Sequence, residues 1–230
     1  MKRNQSGFTL IEIAIVLVII GLLLGGVLKG QELINSAKVK SLATDFRNIP
    51  VYIYGYQDKF RAIPGDDRLA ASHVSGATTI DPGNGNGLID GDWNSTTTTD
   101  ESYNFWQHVR LAGLAPGSTD IADPAGDYIP INSVAGVIGI QSGTTVAADA
   151  PIMDNQSTPV AIRGTYIICS SNILGKFAKQ LDIQLDDGNT ETGAMMSALS
   201  TTADPYAVGD SAVATDDIND AGIYVVCMGV

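Results

Sequence analysis

Positive charge is scarce in this chain. Of 230 residues, 13 are Lys or Arg against 25 Asp or Glu, a formal net charge of −12 at pH 7. A nucleic-acid surface needs a basic patch to neutralise phosphates, and Arg61 and Arg68 are too sparse to make one. Nucleic acid is therefore not expected as a partner. Histidine is scarcer still: His73 and His108 are the only two, at no spacing that metal ligation uses. There is no Gly-x-Ser-x-Gly elbow and no phosphate-binding glycine loop. Acid pairs such as Asp66-Asp67 and Asp186-Asp187 read as turn residues, and His108 as a packing or surface residue. Scattered carboxylates in a net-negative chain make a poor case for glycosidase chemistry. No enzymatic activity is expected.

Charge of either sign is also missing from the long apolar run at residues 8–28, except for Glu12. Such a run is long enough to cross a bilayer as a helix, which needs about 20 apolar residues. A carboxylate inside it costs roughly 2.5–3.5 kcal/mol on insertion scales and so points to function. The leader before it is basic through Lys2 and Arg3, which favours a cytoplasmic N-terminus. A secretory signal peptide would have an apolar core of only about 7–15 residues and a small-residue cleavage site. Here the run is longer, and no Ala-x-Ala pattern follows it.

The segment Gly7-Phe8-Thr9-Leu10-Ile11-Glu12 resembles the processing motif of type IV pilins and of type II secretion pseudopilins. The resemblance implies that a prepilin peptidase cuts after Gly7 and that Phe8 becomes the N-methylated first residue. Glu12 then holds the family's glutamate at the fifth mature position. It further implies polymerisation with other pilin-like subunits, after insertion in the inner membrane and on the way to a periplasmic or extracellular filament. An uncleaved single-pass anchor is the alternative. Many pilins carry a proline in the middle of this helix, whereas here none precedes Pro50.

Physical reasoning gives Glu12 a task in an assembly. The new ammonium at Phe8 would lie four residues away, at the same membrane depth. Pairing it with Glu12 of a neighbouring subunit compensates two poorly solvated ions and fixes axial register; a glutamate merely snorkelling to the interface is the competing reading. Gly21, Gly25, Gly26 and Gly30 give small-residue faces where helices approach closely, though each lowers helix propensity by roughly 1 kcal/mol relative to Ala.

Beyond the apolar run, Val39, Leu42, Phe46, Ile49, Ile53, Tyr56 and Phe60 recur three and four apart, one stripe of an amphipathic helix. Pro50 interrupts it and predicts a kink or a break. Ile63-Pro64-Gly65-Asp66 reads as a type II turn. A short helix is expected after Asp100, stopped by Gly113, and another over residues 171–185. Strands are expected over 160–169 and 223–228. The fold class is α+β: a long N-terminal helix packed on a mostly antiparallel sheet, with long loops. The expected organisation is a leader (1–7), a membrane or filament-core helix (8–30), its amphipathic continuation (31–60) and an exported globular domain (61–230).

Cys169 and Cys227 are the two cysteines, each in an expected strand. In an oxidising compartment they read as a disulfide, worth roughly 4 kcal/mol by loop closure, and the family resemblance implies the same. Two buried thiols in neighbouring strands are the alternative. One loop is rich in oxygen donors. Asn84, Asn86, Gly87, Ile89 and Asp90 fall where an EF-hand places its third, fifth, sixth, eighth and ninth residues. Pro82 displaces the first ligand, with Asp81 one residue early, and Trp93 stands where a bidentate Glu belongs, so Asp92 or Glu101 would have to complete the shell. Structural calcium, which some pseudopilins hold in such a loop, is thus an expected ligand; a plain Asn/Gly turn is the alternative. A monomeric, membrane-anchored calcium- or ligand-binding domain is the competing function.

Overall fold

The amphipathic stripe and the apolar run before it form one helix, α1, Leu10–Phe60. The computed structural model describes residues 9–75, 83–123, 125–146, 149–206 and 208–230, in two compact units, Met1–Lys38 and Val39–Val230. Gly7, Phe8 and Asp81 lie outside the described residues. In the first unit the helix is a bare apolar surface, with Leu10 92 % and Leu22 74 % exposed.

In the second unit Val39, Leu42, Phe46, Ile49, Ile53 and Tyr56 are buried, as the stripe requires, and Phe60 is half-buried. Pro50 lies inside the helix and does not break it. It withdraws one backbone donor, but Phe46 and Ile49 before it and Ile53 after it are anchored in one core. That packing outweighs the local defect.

The remaining elements are α2 (Ala70–His73), α3 (Glu101–Leu111), β1 (Ile138–Ser142), β2 (Ile152–Met153), β3 (Tyr166–Leu174), α4 (Gly175–Leu185), β4 (Met195–Leu199), β5 (Asp210–Ser211) and β6 (Ile223–Gly229). Four strands make an antiparallel sheet in the order β1-β3-β6-β4, while β2 and β5 form a small parallel pair. Side chains alternate across a strand, and here both faces are covered. Tyr166 and Ile168 of β3 join the core containing Phe46, Phe105 and Phe177. Ile167 and Cys169 join the opposite cluster with Trp93, Ile152 and Met196. Cys169 faces Cys227 in the β3–β6 register, and the two are joined as a disulfide.

Two expected elements shift. The strand expected over 160–169 begins only at Tyr166, because the chain turns around Gly164 and both Thr165 and Tyr166 donate to the carbonyl of Val230. The helix expected over 171–185 begins only at Gly175. The register shifts between Ser170 and Ile173, where Asn172 adopts φ 59°, and Ile173 and Leu174 then resume pairing with Tyr224 and Ile223. Such a bulge lets a strand bend and continue.

Candidate functional site

At the start of α1, Thr9 and Glu12 bond reciprocally. The Thr9 amide and hydroxyl each donate to Glu12 Oε2 at 2.8 Å, and the Glu12 amide donates to Thr9 Oγ1 at 3.3 Å. This is a capping box, in which the side chain three residues into the helix satisfies orphan donors at its mouth. The sequence carries its Thr-x-x-Glu signature at Thr9 and Glu12. Further along, a Cβ built on Gly21, Gly25, Gly26 or Gly30 meets nothing within 4 Å. No contact among the described residues calls for glycine at these positions.

The oxygen-rich loop is organised by a residue from an earlier segment of the chain. Asp66, the last residue of the expected turn in which Gly65 takes φ 95°, is buried. Its carboxylate accepts the amides of Gly85, of Asn86 at 3.1 Å and of Gly87 at 2.7 Å. Glu101, first residue of α3, accepts the amides of Asn84 (2.8 Å) and Asp90 (3.0 Å). Asp90 Oδ2 accepts both Asn84 Nδ2 and Asn86 Nδ2. Asn84, Asn86, Asp90 and Glu101 are therefore brought together. Asp92 stays exposed, its carbonyl accepting Ser102 Oγ. Burial raises the Glu101 carboxyl above its ordinary value, against the two amides, and the charges of Asp66 and Asp90 add to the rise. Consecutive glycine and asparagine amides converging on a carboxylate form an anion nest, so the acids here already serve the backbone.

Behind this loop sits a buried polar chain. Tyr56 donates to Asp67 Oδ2 at 2.7 Å, and His73 Nδ1 lies 2.6 Å from the same oxygen. Burial works against the Asp67 charge, but hydrogen bonds from His73, Tyr56 and the Leu69 amide outweigh it, and its pKa falls. His108, read from sequence as a packing or surface residue, is wholly buried. It accepts the Gly65 amide on Nδ1 at 2.8 Å, and its Nε2 has no partner. Burial pushes its pKa down to about 4 against the pull of Asp67.

A second gathering of acids lies at the end of α4. Asp182, Asp186 and Asp187 each offer an oxygen, all within 4.8 Å of one another. Burial pushes Asp182 up to about 7, against the Gly188 amide and helped by the charges of Asp186 and Asp187.

These shifts set opposing pH dependences. His108 has a folded pKa below its unfolded 6.5, so its contribution is complete above pH 6.5 and is lost as pH falls through about 4. The gap corresponds to about 3 kcal/mol at 1.36 kcal/mol per pKa unit. Asp182 is raised, so its contribution is present below pH 3.8 and lost as pH rises through about 7. Subtracting the pH curve of His108→Gln isolates the histidine. With chelator present, wild type should lose about 3 kcal/mol more than the variant between pH 7 and 4 in denaturant titrations. Parallel curves would refute this.

Residues 2–28 match the family model described as the prokaryotic N-terminal methylation motif; no curated protein and no solved structure matches the chain.

Proposed function

We propose that this chain is a structural subunit of a type IV pilus or of a type II secretion pseudopilus. It is inserted in the inner membrane with its N-terminus cytoplasmic, cut after Gly7 by a prepilin peptidase, methylated at Phe8, and polymerised through α1 with other pilin-like subunits. One observation carries this reading. The methylation motif opens a helix that is long and apolar enough to span a membrane, and none of its most apolar window is buried by the chain itself. Apolar surface on that scale marks a membrane or partner contact. The glycines along it, free of intrachain neighbours, suit close helix packing. Mass spectrometry of protein from cells with active peptidase should find N-methyl-phenylalanine at position 8; an intact Met1 terminus would overturn the reading.

Calcium at the 84–101 loop is a separable proposal, supported by the hydrogen bonds that draw Asn84, Asn86, Asp90 and Glu101 together. It also underlies the competing reading of a monomeric anchored binding domain. Any thermal stabilisation that calcium gives at this loop should disappear in Glu101→Gln.

A further inference from the structure

We infer that the turn leaving α4 is a second and independent divalent-cation site, formed by Asp182, Asp186 and Asp187 and suited to calcium. Two observations converge on it. The three carboxylates lie within 4.8 Å of one another, the only such group of His, Cys, Asp or Glu among the described residues. Asp182 is also 0 % exposed, and only one of its oxygens is engaged: Oδ1 accepts the Gly188 amide at 2.6 Å, while Oδ2 is buried with no partner. A buried carboxylate oxygen without a donor is costly, and a bound cation removes that cost.

The surroundings favour a cation. The acids occupy the last turn of α4 and the two residues after it, where the helix dipole is negative and cations are stabilised. Among the described residues no Lys or Arg forms an ion pair with any of the three. Asp186 is held in place by the amides of Ala194 (2.7 Å) and Met195 (2.9 Å) on its Oδ2. Gly193, at φ 104°, keeps the space open: a Cβ there would run into Asp186 Oδ2 and come within 3.6 Å of Asp187 Oδ1. Asp187 is exposed, which leaves room for water to fill the remaining coordination positions.

All three donors are hard carboxylate oxygens, the set that calcium and magnesium take, with no nitrogen or sulfur to select zinc. Calcium accepts irregular shells of six to eight oxygens, whereas magnesium demands near-octahedral geometry. The cation would fasten the end of α4 to the start of β4 through Asp186.

The test uses the full chain in detergent, stripped with EDTA and melted with or without 10 mM CaCl2 or MgCl2. Extracellular calcium modules bind in the 10⁻⁴–10⁻³ M range, so calcium should raise the melting temperature by about 3–8 °C, and magnesium by less. Asp182→Asn and Asp187→Asn should each lose the part of the rise that this site supplies, which Glu101→Gln should retain. Asp182→Asn should also melt no lower than wild type in EDTA, since it removes an uncompensated buried charge. No calcium shift in wild type would overturn the site, as would a full shift in Asp182→Asn. A shift lost only in Glu101→Gln would place the ion at the other loop and overturn this one.

Discussion

Glu12→Ala is expected to be made, inserted and cut normally, yet to be absent from sheared filaments. If the pair with a neighbour's Phe8 ammonium fixes register, removing one partner leaves the other desolvated, at a cost of about 3–5 kcal/mol. That is more than a hundredfold per subunit junction, enough to prevent growth. Alanine, however, also deletes the capping box in which Glu12 Oε2 holds the Thr9 amide and hydroxyl, and a lost cap alone costs about 0.5–2 kcal/mol. Two further variants separate the effects. Glu12→Gln keeps an oxygen for Thr9, since glutamine serves in a capping box, but carries no charge. Thr9→Ala keeps the charge and loses the box. Charge pairing requires Glu12→Gln to fail as completely as Glu12→Ala and Thr9→Ala to assemble. Wild-type filament yield from Glu12→Gln would reject the pairing and leave helix capping as the role of Glu12.

What could be read from the sequence follows from how local each signal is. The stripe from Val39 to Tyr56 depends on helical spacing alone, and all six of its positions up to Tyr56 are buried. The pairing of Cys169 with Cys227 needed only an even count and two apolar strands around them. Pro50 does not break the helix because the core holds both of its flanks, which no local signal reports. The strand reaching Leu174 was hidden by a bulge at Asn172 whose register is set by Tyr224 and Ile223, some fifty residues away. The loop shows the same limit in the candidate site. Asn84, Asn86 and Asp90 are adjacent in sequence and were found, whereas Asp66 arrives from another segment to bind the Gly85, Asn86 and Gly87 amides. Its neighbour Asp67 looked like the same turn but is tied to Tyr56 and His73. No spacing rule within one stretch reports a contact between two.

Reduction of the disulfide should lower the stability of the Val39–Val230 unit by about 4 kcal/mol, or about 8–16 °C in melting temperature for a domain of this size. The bridge closes a loop across a sequence separation of 58, and in the chain-entropy model most of its effect is on the unfolded state. The folded state has other reasons to bring the strands together. β3 and β6 pair on both sides of the cysteines, through Ile168–Met228 and Ser170–Val226, and both sulfurs are buried among Ile167, Val225 and Met196. Reduction leaves both sulfurs in that cluster and so isolates the cross-link, whereas Cys169→Ala with Cys227→Ala adds a packing loss. An unfolded chain released from the cross-link exposes more surface, so the denaturant m-value should rise on reduction. Unchanged melting with and without reductant would refute the estimate. The result also bears on topology, because disulfides persist in oxidising compartments. If the domain depends on Cys169–Cys227 for some 4 kcal/mol of a total that is typically 5–15 kcal/mol, it is suited to fold in an oxidising compartment, which in the proposed topology is the far side of the membrane from Lys2 and Arg3. That is also the orientation which the proposed cut after Gly7 would require.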